Sequence, residues 1–174
     1  MSDFDRELAA RIVAAAHLTG EFKLRSGQTS NHYFDKYRFE ADPELLWPIA
    51  RAMAPLVPSG TEVLAGLELG GVPLAVALSR ETGLPTAFVR KERKEYGTCR
   101  IAEGAELRGR AVCVIEDVIT TGGQVVTSVG DLRAEGARVD SVCCVIYRGE
   151  GVCEPLHAAG LQLIHLYTMA QLLG

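Results

Sequence analysis

The stretch Ala111 to Val125, AVCVIEDVITTGGQV, constrains the fold of this chain more than any other. Its apolar, β-branched start, Ala111 to Ile115, reads as a strand buried on both faces, and the Gly122-Gly123 pair before a helical pattern completes a strand, loop, helix unit. A helix start exposes unpaired N–H donors and the positive end of its dipole. A phosphate therefore fits between Ile119 and Gln124, held by amides and by the Thr120 and Thr121 hydroxyls. Glu116 and Asp117, just before the loop, would repel a phosphate, so ribose hydroxyls or a hard cation are their natural partners. The plainer reading is a tight turn after a core strand, but such a turn gains nothing from adjacent carboxylates at a strand end.

Two common phosphate loops are excluded by the residues present. A P-loop needs Lys-Ser or Lys-Thr after its last glycine, where this loop continues Gln124-Val125, and G-x-G-x-x-G is absent. With 174 residues, 48% hydrophobic and 23% charged, the chain has the size and composition of one soluble domain, 1–174. No apolar run approaches the roughly 20 residues that span a bilayer, and the start MSDFDREL is acidic where a signal peptide is basic, so a cytoplasmic protein without membrane contact is expected. Five cysteines without a C-x-x-C pair, three of them (Cys113, Cys143, Cys144) inside apolar runs, read as core residues in a reducing compartment rather than zinc ligands. The net charge of −4 argues against a nucleic-acid partner. Positive charge nevertheless concentrates in Arg90, Lys91, Arg93, Lys94 and Arg100, a patch suited to a small polyanion.

Along the chain, residues 3 to 17 carry Phe4, Leu8, Ile12 and Val13 at helical spacing, with Gly20 as a stop. Glu21 to Glu40 alternates, turns at Ser26-Gly27 and resumes an extended pattern at Tyr33-Phe34, a hairpin-like flap. Its Lys23 and Lys36 read equally as a solvated face. Asp42-Pro43-Glu44 predicts a capped helix running towards Val57, with Pro48 expected to kink it or shorten its start. Glu62 to Leu67 predicts a buried strand, Glu68 to Pro73 a second glycine loop, Leu74 to Glu81 a helix ended by Gly83, and Thr86 to Val89 a strand that delivers Arg90 and Lys91. Lys91 to Arg110 has no periodicity, and its charge marks it as a functional lid, with a solvated charge run as the alternative. Val125 to Glu135 predicts a helix closed by Gly136, Val139 to Tyr147 a buried strand, Leu161 to Leu166 a last strand, and Thr168 to Leu172 a short helix. Arg148 follows its strand directly, at the sheet edge where ligands bind, and its planar fork matches a carboxylate. The alternation gives an α/β fold with a central, mostly parallel sheet flanked by helices. A small N-terminal hood, about 20–40 with the first helix, would sit on a core of about 41–174.

Four apolar residues, Glu-Asp, two apolar residues and Thr-Thr-Gly-Gly together resemble the ribose-phosphate signature of type I phosphoribosyltransferases. Phe-x-Leu-Arg-Ser-Gly with Ser30 and Tyr33-Phe34 resembles the base-covering hood of the orotate phosphoribosyltransferases, and Arg90 to Gly97 resembles their Arg-Lys-x-x-Lys-x-His-Gly loop. Tyr96 stands where many members have His; a phenol donates a hydrogen bond but carries no proton near neutral pH. The turn Gly66 to Pro73 resembles the family's pyrophosphate loop, although some relatives place a lysine where this chain has Gly70, so charge neutralisation there must come from elsewhere.

The resemblance implies transfer of the phosphoribosyl group of 5-phosphoribosyl 1-diphosphate to orotate, with Mg²⁺ held through the diphosphate and no direct protein ligand. It implies ribose-diphosphate contacts from Arg25, Leu69, Gly70, Arg90, Lys91, Lys94, Tyr96, Glu116, Asp117, Val118, Ile119, Thr120, Thr121, Gly122, Gly123 and Gln124. Orotate contacts would come from Tyr33, Phe34, Thr120 and Arg148, with core packing of one of the two rings as the competing reading. Lys94 and Asp117 would carry the catalytic effect, and a homodimer would share loop 90–97 between subunits. A purine phosphoribosyltransferase or a non-catalytic sensor of the ribose diphosphate are the rival readings. The first has no use for an arginine aimed at a substrate carboxylate.

Overall fold

A computed structural model of the chain describes residues 3–23, 27–92 and 100–174. Helix α1, Asp3–Ala16, buries Leu8, Ala9, Ile12 and Ala16 at helical spacing and passes directly into strand β1, His17–Lys23. Gly20 is therefore inside a strand and does not stop the helix. Pairing decides this boundary: β1 lies antiparallel to β2, Thr29–Phe34, and the Asp35 N–H donates to the Ala16 carbonyl at 2.8 Å. The flap is a two-stranded sheet, as expected, but its end folds into a short helix, α2, Tyr37–Ala41.

Helix α3, Pro43–Met53, begins where expected, with the Asp42 carboxylate accepting from the Glu44 N–H at 2.9 Å. Pro48 does not shorten its start. Proline removes the N–H that would bond the carbonyl four residues earlier, and that carbonyl, Glu44, instead accepts from the Arg11 guanidinium of α1. A 3-10 turn, Ala54–Leu56, completes the segment.

Among the described residues the main sheet has six strands: β3 Val63–Leu67, β4 Thr86–Val89, β5 Ala102–Gly104, β6 Ala111–Ile119, β7 Arg138–Tyr147 and β8 Gln162–Thr168. Their order is β5-β4-β3-β6-β7-β8, parallel throughout except for β5, which runs against β4 at the edge. Helices α4 Gly71–Thr82, α5 Gly123–Ala134, α6 Glu154–Ala158 and α7 Met169–Leu173 complete the chain. Alternate strand residues feed two apolar layers. Leu64, Cys113 and Ile115 pack with α1, α3 and α4, whereas Ala65, Val112 and Val114 pack with α5 and α6. Gly71 lets α4 begin against the sheet, since a Cβ there would strike the Ile115 carbonyl.

Three elements depart from the sequence reading. β5 lies in the stretch without periodicity, because three residues are too few to show one. α6, at five residues, is equally silent. β6 runs on to Ile119, because β7 offers continued pairing from Glu116↔Cys144 to Ile119↔Tyr147, so the two acids lie inside the strand and not at its end.

Candidate active site

The loop between β6 and α5 forms one wall of a cavity of about 480 Å³ at the carboxyl ends of the parallel strands. Thr120, Thr121, Gly123 and Gln124 are exposed around the start of α5, and Gly122 turns the chain with a left-handed φ of 75°. A side chain at Gly122 would meet Leu156 at 2.9 Å and Cys153 Sγ at 3.1 Å, so α6 supports the loop from behind. The Arg148 N–H donates to the Ile119 carbonyl at 2.8 Å and ties the next strand to the same point. The result is a helix start with open N–H groups and two hydroxyls, a cradle for a phosphate.

The other walls come from Leu67 and Glu68 at the end of β3, from Val89, Arg90 and Lys91 at the end of β4, from Glu116 and Val118 of β6, and from Lys36 and Tyr37 of the hood. Arg90 has its Nε buried without a hydrogen-bond partner among the described residues. The structure thus gathers Arg90, Lys91, Glu116, Val118, Ile119, Thr120, Thr121, Gly122, Gly123 and Gln124, all expected from sequence, around one space. Leu69 is exposed and Gly70 buried, and neither lines it. Arg25, Lys94 and Tyr96 lie outside the described residues.

The hood brings its aromatic pair to the strand-end arginine. The Arg148 guanidinium lies 5.6 Å from the centre of the Phe34 ring, while Phe34 also packs towards Phe39 of the core. Tyr33 is exposed and stacks on Phe22 at 5.4 Å between ring centroids. Of the two rings, Phe34 is the one shared with the core, and Tyr33 is the freer.

Asp117 departs most from expectation. It is completely buried and turned against the hood, where Lys36 Nζ lies 2.6 Å from its Oδ2. Glu116 lines the cavity, whereas Asp117 does not and instead meets Lys36. Glu40 of α2 is buried beside it, and a Cβ on Gly70 would collide with both Asp117 Oδ2 and Glu40 Oε1, so glycine is required for these carboxyls to meet there.

Carboxyls this close cannot all ionise away from water. Burial, followed by the neighbouring Asp117, pushes Glu40 up to about 9. The same two causes hold Glu116 well above the carboxylate range. Burial also acts to raise Asp117, but hydrogen bonds with Glu116, Glu40 and Lys36 outweigh it and keep Asp117 ionised. For Lys36, burial opposes the charge and Asp117 overcomes it, so the ammonium persists. The cluster carries its negative charge on Asp117, balanced by Lys36.

Sequence reasoning left Lys36 undecided and missed Tyr37, Glu40, Glu68 and Ser128. No period-two signal pointed to Lys36, because β2 ends at Phe34 and Lys36 already has the helical backbone of the α2 N-cap. Its ammonium answers the missing charge at Gly70, since the carboxylate it pairs with borders that glycine. Among the described residues no group of three or more His, Cys, Asp or Glu side chains is arranged to hold a metal ion, and no helix is long and apolar enough to cross a membrane.

Comparison with known proteins adds independent information. Residues 39–160 match the family model described as a phosphoribosyl transferase domain. The chain is 54% identical over 168 residues to an orotate phosphoribosyltransferase of Nocardioides sp., covering 97% of this chain and 94% of that protein. It also resembles the crystal structure of Mycobacterium tuberculosis H37Rv orotate phosphoribosyltransferase in complex with Fe(III) dicitrate. The TM-score is 0.88 at 31% identity, with 97% of this chain and 98% of that one covered. The same enzyme in complex with 5-phospho-α-D-ribosyl 1-diphosphate aligns with a TM-score of 0.83 at 29% identity, covering 97% and 98% of the two chains.

Proposed function

The chain belongs to the phosphoribosyltransferases, within them to the orotate phosphoribosyltransferases, and on that premise we propose the reaction its site performs. It is a pentosyltransferase that moves the phosphoribosyl group of 5-phosphoribosyl 1-diphosphate onto orotate, giving orotidine 5′-phosphate and diphosphate. The observation that carries this reading is the pairing of a phosphate cradle, Thr120 to Gln124, with a strand-end arginine, Arg148, under the aromatic hood. A purine base would give that arginine no carboxylate to bind.

The reaction needs no nucleophilic side chain. Departure of diphosphate leaves positive charge on the ribose, so rate enhancement comes from positioning and from cations that stabilise the leaving group. In our reading the amides and hydroxyls of Thr120 to Gln124, with Ile119 and Val118 behind them, hold the 5′-phosphate. Glu116 accepts from the ribose hydroxyls, while Asp117, buried behind that wall, holds Lys36. Arg90 and Lys91 meet the diphosphate, together with Arg25, Lys94, Tyr96 and the Leu69-Gly70 main chain, and Lys94 supplies the largest catalytic effect. Arg148 pairs with the orotate carboxylate, with Tyr33, Phe34 and Thr120 around the ring.

The cavity wall is rich in amides, hydroxyls and cations and presents two acids, Glu68 and Glu116, in no cluster of three arranged to hold a metal among the described residues, so Mg²⁺ fits here chiefly through the oxygens of the diphosphate. Bound there, it would neutralise charge developing on the leaving group. We further read residues of about 20–40 with the first helix as a hood on a core of about 41–174, and the active form as a homodimer with loop 90–97 shared between subunits. A cytoplasmic location is supported by Cys113, Cys143, Cys144 and Cys153, all buried as free thiols. The deciding experiment is Mg²⁺-dependent consumption of orotate compared with uracil, hypoxanthine and adenine. Selective use of orotate is expected, and preference for any of the other three would overturn the assignment.

A further inference from the structure

We propose that Lys36 is a diphosphate-binding residue of this site, a role that rests on the phosphoribosyl transfer described above. Lys36 lines the cavity together with Arg90 and Lys91, and its side chain keeps 32% of its surface exposed. Asp117, with 0% exposed, anchors Nζ at 2.6 Å. The anchoring oxygen stands where a Cβ on Gly70 would go, so the ammonium borders the main chain that links β3 to α4. An ammonium has three donors and one acceptor atom engages one of them, leaving the rest for a ligand.

A lysine serving only to neutralise a buried aspartate would gain nothing from a place in the cavity wall. This one combines a fixed base with an accessible head, which is how a flexible cation is prepared for a polyanion before it arrives. Its neighbours in the wall decide which part of the ligand it meets. Arg90 and Lys91, read above as diphosphate ligands, line the same space, whereas Arg148 and Phe34 on the orotate side do not. Lys36 therefore belongs to the diphosphate end, and Asp117 acts on that end as the residue that positions it.

The test is calorimetric titration of the full chain with inorganic diphosphate in Mg²⁺ buffer and, separately, with orotate. Lys36→Met is expected to weaken diphosphate by about tenfold or more, the loss of one charge-assisted bond, with orotate changed less than about twofold. Lys36→Arg, which keeps the charge, should recover most of the diphosphate affinity. Because Met removes the cation paired with the buried Asp117, the comparison is repeated between Asp117→Asn and the double variant Lys36→Met/Asp117→Asn, where a gap in the same direction is expected, smaller because Asn no longer anchors the ammonium. Equal diphosphate affinity in both pairs overturns the proposal. A wild-type protein that binds diphosphate through Lys36 yet consumes no orotate overturns the reaction proposed above and leaves this assignment standing.

Discussion

Gly122 and Gly123 are adjacent, look alike in the sequence and should respond to alanine in opposite ways. Gly122 has a φ of 75°, and a left-handed conformation costs a non-glycine residue about 1–2 kcal/mol. The added Cβ would also stand 2.9 Å from Leu156 and 3.1 Å from Cys153 Sγ, and overpacking of this kind costs about 1–3 kcal/mol. Together the change should destabilise the fold by about 2–5 kcal/mol, a large share of the roughly 5–15 kcal/mol that holds a domain together. Gly123 is the first residue of α5, and a Cβ there meets nothing within 4 Å. Its replacement should be neutral or stabilise by up to about 1 kcal/mol, since alanine is the better helix former, and it keeps the N–H that faces the phosphate. Urea denaturation with a matched m-value reads the difference, and diphosphate and ribose 5-phosphate titrations show whether the cradle survives. Equal stability of the two variants would refute the reasoning, because both the backbone conformation and the contact with α6 would then be without consequence.

Arg148→Ala should raise the KM for orotate by roughly 10- to 150-fold, the equivalent of about 1.5–3 kcal/mol, and leave that for the ribose diphosphate nearly unchanged; equal losses in steady-state kinetics would remove the carboxylate assignment. Glu40 holds its proton up to about 9 in the folded chain, well above its ordinary 4.5, so its contribution is complete below the ordinary value and fades as pH rises through about 9. Glu40→Gln has no proton to lose, and calorimetric Tm values between pH 7 and 10 should decline less than in the wild type; an identical alkaline decline would show that Glu40 is already ionised. Mixing Lys94→Ala with Arg148→Ala under proven subunit exchange should restore activity at one of the two sites in each heterodimer, because one site would then receive both an intact loop and an intact host. No recovery would mean that loop 90–97 closes over its own subunit.

The parts of the fold that were legible in sequence are those where one residue pattern faces one environment. β4 was read to the residue, and α5 and β7 to within two residues, because apolar runs bounded by glycine or charge leave few choices. The boundary at Ala16 was misplaced because a glycine at position 20 offered a local stop, while the real cause is pairing between β1 and β2, residues far enough apart that no local signal carries it. Pro48 was judged by its local cost alone. Its orphaned carbonyl partner, Glu44, is satisfied by Arg11 from another helix, and such compensation is invisible until the two helices are placed together.

The site divides along the same line. The loop from Thr120 to Gln124 and the cations Arg90 and Lys91 form contiguous motifs whose chemistry can be read in order, and the structure gathers them around one cavity. Glu116 and Asp117 look equivalent as a pair of letters, yet of these two β6 residues only Glu116 lines the cavity, although the two carboxyls stay in contact. One acid then meets the cavity and the other meets Lys36 and Glu40 of the α2 segment and Gly70 at the start of α4, residues contributed by two separate segments. The glycine at position 70 reads locally as a flexible turn, but its cause lies elsewhere: two buried carboxyls occupy the space a side chain would need. The missing side chain at that turn and the cation in the cavity wall are therefore linked. Gly70 makes room for Asp117, and Asp117 brings the ammonium of Lys36 to the loop that carries no cation of its own.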